Sequence, residues 1–561
     1  MRFSRFRRYL AAKKYLYLLL FTVVLGSAYP LVADFYTKGE PREAIVAQAM
    51  MEDGEYILPR VYADEIAYKP PMFHWLEVLS TVFTGGEVTP LSARLPSAVA
   101  LFALAAGLFI FVSQRRPISL ALMATLIFLT ALDPHRFGIM ARVDMVLTAF
   151  MVWALFSLYA WDEKKGRRGI PWGAVLLMSG AFLTKGPVGT VLPLLIFFVY
   201  ACLRRYPFWD TLLRLLGIGV LSAVLPGVWY FLAWQKGGDE FLGLVWNENI
   251  VRFFGLGDYT LFYPLGHEGG FYKPVIYFIL GLFPWTFLPL FFRWKKASVA
   301  ASFRCPLHLF AWTAALVTLV FYMIPMSKSS SYLLPMFPFV ALGLAEGFFF
   351  LVKKEDPGVI RFAVLMSVLS GIVLVGMVAL QAGFDPTLWA GSGAEVFAEG
   401  IRGDLGLSLS GELFILVGIL TVVYQMMRRN YHKLAFATVF LAFIIHFNVD
   451  VPAMTHFKEV NSARPFARSV TEEIGSEPLY VISDLNSGYY NLYGLAFYAG
   501  KRPLEFRTEK PSEGYLVVWE KDYESLKADY LGDYETEIVA KDRKSIQEGG
   551  VAQLVHFRRV H

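Results

Sequence analysis

Charged side chains at the ends of apolar runs are where this sequence can do chemistry. Glu40 and Arg42 sit in Gly39-Glu40-Pro41-Arg42 after the first apolar run, followed by Lys69 in Tyr68-Lys69-Pro70-Pro71 and by His74. Arg142 and Asp144 lead into a later run, and Lys185 lies in Leu183-Thr184-Lys185-Gly186-Pro187 between two others. Glu248 and Arg252 belong to Trp246-Asn247-Glu248-Asn249-Ile250-Val251-Arg252, while Lys328 and Tyr332 belong to Met326-Ser327-Lys328-Ser329-Ser330-Ser331-Tyr332. Carboxylates accompanied by several cations suit a reaction in which a hydroxyl loses a proton while a phosphate departs. A carboxylate takes the proton as general base. Lys and Arg stabilise the charge that grows on the phosphate. The reagents for such a site would be a sugar on a lipid phosphate and a hydroxyl-bearing acceptor.

Each residue also has a plainer reading. Glu40 and Arg42 suit a cap and ion pair at a helix start, and Asp144 suits an N-terminal cap. Lys185 and Lys328 suit interfacial anchors whose stems lie along apolar surface. His74 reads more readily as structural than as a metal ligand. Their placement on one face of a membrane is the feature that favours chemistry.

That placement follows from composition and charge order. The 561 residues are 56% hydrophobic, 16% aromatic and 17% charged, against about a quarter charged in soluble chains. Runs long enough for a hydrocarbon core of ~30 Å recur to about residue 450. Thirteen spans are expected: 15–33, 97–113, 118–132, 145–161, 170–184, 187–203, 215–234, 274–292, 308–324, 332–352, 359–382, 411–427 and 433–448. Starting from a basic tail with Arg5, Arg7, Arg8, Lys13 and Lys14, alternate loops are basic. They read Gln114-Arg115-Arg116, Lys164 to Arg168, Arg204-Arg205, Trp294-Lys295-Lys296, Lys353-Lys354 and Arg428-Arg429. The positive-inside rule places these in the cytoplasm with the N-terminus, the first span acting as a retained signal anchor. The net charge of +6 is thereby explained by loops, and nucleic-acid binding is not implied. Cys202 and Cys305 both lie near basic loops, so no disulfide framework is expected.

The long segments 34–96, 235–273, 383–410 and the tail from 449 fall outside. Within the first, Met72-Phe73-His74-Trp75-Leu76-Glu77-Val78-Leu79 is too short to span and suits a helix lying in the interface. The tail alternates a helical stretch at 460–474 with strand-like Leu479-Tyr480-Val481-Ile482, Tyr515-Leu516-Val517-Val518 and Gln553-Leu554-Val555-His556-Phe557. The expected organisation is therefore a transmembrane domain over 1–448 and a small extracytoplasmic α/β domain over 449–561. Transporters place ionisable residues near the midplane and often repeat their halves. Here the charges cluster at one face with no visible repeat, which weighs against a transporter or flippase of lipid-linked glycans without removing it.

At these residues the chain resembles the lipid-linked-sugar glycosyltransferases of GT-C fold, and more narrowly the aminoarabinose transferase and protein O-mannosyltransferase superfamily. The similarity rests on Gly39-Glu40-Pro41-Arg42, Lys69-Pro70-Pro71 and Trp75-Leu76, then Ala93-Arg94-Leu95-Pro96-Ser97, Arg142-Val143-Asp144, Thr184-Lys185-Gly186-Pro187 and Tyr332-Leu333-Leu334-Pro335, in the family's order. It implies an inverting transferase at the outer face of a bacterial inner membrane, using a polyprenyl-phosphate monosaccharide. The acceptor would be lipid A or another envelope glycan, or alternatively protein hydroxyls. Membrane lipids are the other expected partners. The resemblance makes Glu40 and Asp144 the catalytic carboxylates and Lys69, Arg252, Lys328 and Tyr332 the donor-phosphate contacts. Arg42, Arg142, Lys185 and Glu248 would line the substrates. Two departures stand out: the family's catalytic Asp falls on Gly39, and the acid preceding Lys-Pro-Pro is Tyr68, with Asp64 and Glu65 close by. The first opens the identity of the base and keeps an inactive relative in view. The second weakens the case for a divalent metal, and no cofactor is otherwise implied.

Overall fold

The computed structural model describes residues 30–560 apart from 38, 62–64, 255–268, 293–303, 387–391, 404, 449–450, 452–453, 483–491 and 543–550, with Tyr17, Phe21 and Ala28 before them. The chain forms two compact units, neither continuous in sequence. One comprises 1–31, 97–228 and 267–456; the other gathers 32–96, 229–266 and 457–561. The second unit thus combines the first outer segment and part of the second with the tail.

The first unit is helical and apolar. Among the described residues of the chain, eight helices are long and apolar enough to cross a membrane. Two bent pairs, Ile118–Leu129 with Leu132–Gly138 and Lys273–Gly281 with Trp285–Phe291, raise this to ten. Two shorter apolar helices, Trp172–Lys185 and Val188–Leu203, complete the set. Every span expected from 97 onward coincides with one of these, while that expected at 15–33 falls largely outside the described residues. The protein is a multi-span membrane protein. Lys295-Lys296 also lies outside the described residues.

In the second unit, helix α1 (Gly39–Asp53) ends at Gly54, whose positive φ of 66° closes the last turn without a Cβ clash. A short antiparallel hairpin follows, β1 (Arg60–Val61) with β2 (Glu65–Ile66). Pro70 and Pro71 then break the backbone's helical options, and Pro70 biases Lys69 toward an extended conformation. The helix expected in the interface forms directly after them as α2 (Met72–Ser80). Its buried face carries Phe73, His74, Glu77 and Ser80, whereas Leu79, Val82 and Phe83 are exposed. Helix α3 (Pro90–Ser113) begins at reciprocal Thr89–Ser92 hydrogen bonds, Thr89 N donating to Ser92 Oγ at 2.8 Å and Ser92 N to Thr89 Oγ1 at 3.3 Å. The long helix Phe208–Trp246 continues past its expected span and changes direction at Gly238, where φ is 55°. Midway along it, Trp229 Nε1 donates to Ile57 O at 3.1 Å.

The tail contains the expected helix as Arg464–Ile474 and the expected strands as β3 (Leu479–Val481), β5 (Glu513–Trp519) and β7 (Ala552–Arg559). With β4 (Leu504–Glu505) and β6 (Tyr534–Lys541) they make one five-stranded sheet in the order β4-β3-β5-β7-β6. β3 pairs in parallel with β4 and β5, and β7 runs antiparallel between β5 and β6. Leu516, Val518, Val555 and Phe557 alternate onto one buried face beneath Tyr523 and Leu531. The tail is docked on the first outer segment: Arg502 pairs with Glu52 at 2.7 Å and Asp53 at 2.6 Å, and Arg464 pairs with Asp34 at 2.8 Å.

Candidate active site

One end of α1 is fixed by a buried ion pair. Arg94 Nε donates to Glu40 Oε1 at 2.7 Å and Nη2 to Oε2 at 3.2 Å, a two-pronged contact. The same guanidinium donates to the carbonyls of Ala33 and Asp34 and stacks on Phe35 with its Cζ 4.9 Å from the ring centre. Neither Glu40 nor Arg94 has any solvent exposure. Thr37 Oγ1 donates to Glu40 at 3.2 Å as well.

One turn farther along α1, Glu43 meets the residues that precede and open α2. Lys69 Nζ lies 2.5 Å from Glu43 Oε1, and His74 Nε2 lies 2.9 Å from Oε2. Glu43 and His74 are buried, but the Lys69 side chain keeps 27% of its surface exposed. Glu77, one turn after His74, is fully buried, and neither of its oxygens has a hydrogen-bond partner among the described residues; nor has His74 Nδ1. Arg42 pairs with Glu65 at 3.4 Å, Glu65 accepts from Tyr493 Oη at 2.5 Å, and the Arg42 guanidinium lies 5.9 Å from the Tyr493 ring centre. The negative charge of Glu248 also acts on Lys69. The Arg252 side chain lies outside the described residues.

These charges sort the acids. Burial alone would raise the Glu43 carboxyl, but Lys69, His74 and Arg42 together hold it well below the usual carboxylate range. Burial, reinforced by the charge of Glu43 and opposed by Lys69, pushes Glu77 well above that range. Burial draws the Lys69 ammonium down against the pull of Glu43, and Arg42 adds to the depression. The two neighbouring carboxyls are thereby driven apart, Glu77 holding a proton more tightly than Glu43.

The first unit holds a different centre. Asp144, in the first turn of the helix Val143–Lys165, pairs with Lys185 at 2.5 Å and with Arg142 at 3.5 Å. Lys185 closes the adjacent helix Trp172–Lys185 and lies 4.5 Å from the centre of the Tyr332 ring. Asp144 is buried, while Arg142 and Lys185 are partly exposed. Lys328 is buried and donates to the carbonyls of Tyr322, Met323 and Pro325 at the end of the helix Pro306–Met323. Its three donors thereby cap a helix C-terminus, where the helix dipole also favours a cation.

The sequence-level expectations therefore divide. Arg42 and Glu248 both act on Lys69 in the second unit, and Arg142, Asp144, Lys185 and Tyr332 gather in the first. Glu40 is held by Arg94, and Lys328 is spent on carbonyls. Sequence reading passed over Glu43 and Tyr493, and it named Glu65, Glu77 and Arg94 without assigning them a site role. Glu43 had a usable signal, since its spacing from Glu40 puts both on one side of a helix; Tyr493 had none. Among the described residues no three His, Cys, Asp or Glu side chains stand together as metal ligands.

Residues 68–230 match the family described as dolichyl-phosphate-mannose-protein mannosyltransferase. An undecaprenyl phosphate-alpha-4-amino-4-deoxy-L-arabinose arabinosyl transferase of Aeromonas hydrophila is 27% identical over 367 residues, 63% of each chain. An uncharacterized protein of Aquifex aeolicus is 30% identical over 313 residues, 55% of this chain and 67% of that one. The chain is similar to aminoarabinose transferases over much of its length and to the mannosyltransferase family over 68–230. It spans 63% and 62% of the first two arabinosyl transferases it matches. The crystal structure of ArnT from Cupriavidus metallidurans bound to undecaprenyl phosphate superposes with a TM-score of 0.72 at 18% identity, over 97% of this chain and 98% of that one. The archaeal oligosaccharyltransferase AglB from Archaeoglobus fulgidus gives 0.50 at 11% identity, over 92% of this chain and 70% of that one. These likenesses establish the fold: a GT-C-type helical membrane protein with a small C-terminal sheet domain.

Proposed function

We propose that this protein moves a monosaccharide from a polyprenyl-phosphate carrier to a hydroxyl of lipid A or another envelope glycan, with inversion, at the outer face of a bacterial inner membrane. In this reading the N-terminus is cytoplasmic and the tail domain periplasmic, as the alternation of basic loops requires. The observation that carries it is the contact between buried Glu43 and partly exposed Lys69, which sets a proton acceptor beside a phosphate-seeking cation. The acceptor O–H gives its proton to the carboxylate as its oxygen attacks the anomeric carbon. The bond from that carbon to the phosphate oxygen breaks, and polyprenyl phosphate leaves with the electron pair. Lys69, with Arg42 close by and Arg252 as a second contact, stabilises the leaving charge.

The base in this reading is Glu43 rather than Glu40. Freeing Glu40 would strand a fully buried guanidinium, a change that typically costs ~3–5 kcal/mol. Asp144, facing Arg142 and Lys185 within the first unit, is read as orienting the acceptor or a cation. The mannosyltransferase family match over 68–230 favours one second reading, transfer to protein hydroxyls. A transporter has no such support.

Purified full-length protein, supplied with undecaprenyl-phosphate-linked aminoarabinose and lipid A, tests the reading by mass spectrometry of the products. Transfer to lipid A is the expected result, with Glu43→Gln slower by ~10²-fold. Mass spectrometry of envelope lipids, glycans and proteins from a deletion strain identifies the sugar and acceptor independently. An unchanged envelope in that strain, together with no transfer from any polyprenyl-phosphate sugar, would sink the proposal.

A further inference from the structure

Lys69 has two claims on it. It is bonded to Glu43 at 2.5 Å, yet as a partly exposed, flexible ammonium it is also the group best able to reach an incoming phosphate. Resting on the lipid-phosphate reading above, we propose that Lys69 is handed over. Before a donor binds it neutralises Glu43; a phosphate-bearing donor then takes it, so that Glu43 becomes a competent proton acceptor only once the donor is in place.

The surroundings of Glu43 make the handover consequential. Without Lys69 the carboxylate keeps the His74 Nε2 contact at 2.9 Å and the field of Arg42. Arg42, however, is engaged by Glu65 and Tyr493. From α2, Glu77 faces the same carboxylate and is itself buried without a partner among the described residues. The turn at Asn247–Val251 supplies Glu248, which adds negative charge near Lys69. A carboxylate so enclosed loses its strongest neutralising partner while its burial persists, and both changes favour the proton-bound form. Glu43 held tightly by Lys69 is a poor base; Glu43 released is a better one. The coupling keeps the proton acceptor quiet until a phosphate occupies Lys69, and it needs no movement larger than one lysine side chain.

Calorimetric titration with undecaprenyl phosphate tests this on the full-length protein near pH 6, in two buffers of different ionisation enthalpy. Wild type should take up more protons on binding than Glu43→Gln, by a measurable fraction of a proton per site that shrinks as the pH is raised and Glu43 stays ionised. Subtracting the variant removes the proton exchanged by the ligand's own phosphate. Lys69→Gln, in which Glu43 has already lost its cation, should show the same reduced uptake along with weaker binding. Binding with equal uptake in wild type and Glu43→Gln, or in wild type and Lys69→Gln should Glu43→Gln not fold, overturns the handover and leaves the lipid-phosphate reading standing. Failure of wild type to bind undecaprenyl phosphate overturns both.

Discussion

The outer-segment unit and the helical unit each bury a carboxylate against a lysine at 2.5 Å, but the two centres are balanced differently. Asp144 is outnumbered: Lys185 and Arg142 both face it, and the lysine is braced on Tyr332. Glu43 shares Lys69 with a neighbourhood containing Arg42, Glu65, Glu248 and Glu77, so carboxyl groups outnumber the cations. An excess of cations is a standing attraction for an anionic substrate. Several acids around one partly exposed lysine compete for its charge, which spreads their affinities for a proton. A third contact, Glu40 with Arg94, has every oxygen met and no exposure, and it does neither.

The sharpest way to break this division is through the scaffold pair, where the largest effect is expected. Arg94→Ala leaves Glu40 buried and uncompensated, which should destabilise the protein by ~3–5 kcal/mol. Thermal unfolding in detergent measures it. A melting temperature within experimental scatter of wild type would show that Glu40 is not dependent on Arg94 and would return it to contention as the base.

The two lysines come next. Lys69→Ala should cost ~10²-fold or more in turnover with the fold intact, since a cation that meets the leaving group acts in the transition state. Lys185→Ala should chiefly raise KM for the acceptor, by about 10-fold, because its partner Arg142 remains. Steady-state kinetics with varied donor and acceptor separate these outcomes. Loss of kcat in Lys185→Ala with near-normal turnover in Lys69→Ala would exchange the roles of the two centres.

The same contrast separates the legible parts of the chain from the illegible ones. Span positions, the α2 helix and three tail strands follow from apolar periodicity, which is a local property and is printed in order along the sequence. Lys69 was legible because the two prolines after it restrict the backbone on both sides of that junction. The Glu40 assignment rested on proximity to a family position, and only Arg94, far along the chain on α3, reveals that its oxygens are engaged. Arg94 was visible within Ala93-Arg94-Leu95-Pro96-Ser97, but its partner was not. Glu65 with Tyr493 is harder still, because the tail must dock before they meet. Charge pairing across hundreds of residues has no period to read.

A smaller effect is expected at Asp144. Asp144→Asn removes the charge that balances Lys185 and Arg142 but preserves the shape, so the cations should remain near their places. Turnover should fall by about 10-fold, less than in Glu43→Gln, whose amide cannot take a proton at all. If Asp144→Asn is instead inactive and Glu43→Gln retains full turnover, the proton acceptor lies in the helical unit and the outer-segment cluster is structural.

The smallest effect, and the one that isolates the acid-rich character of the outer-segment centre, is at Glu77. Its folded-state pKa is raised above that of the unfolded chain, by burial first and by Glu43 second. The folded protein therefore holds a proton that the unfolded chain gives up near pH ~4.3. Its contribution to stability is fully present below that pH and is lost as pH rises toward and through the folded-state value. Glu77→Gln keeps a neutral side chain of the same length at every pH, so it escapes this loss. Melting curves of the two proteins should converge in acid and separate as pH increases, the variant becoming more stable by ~1 kcal/mol or more around neutrality. Turnover at neutral pH should change little, because the amide keeps the length of Glu77 and removes no hydrogen bond seen among the described residues. Parallel stability curves across that range would mean that Glu77 does not titrate differently on folding. The outer-segment centre would then hold two ionised acids around Lys69, and its contrast with the Asp144 centre would rest on exposure alone.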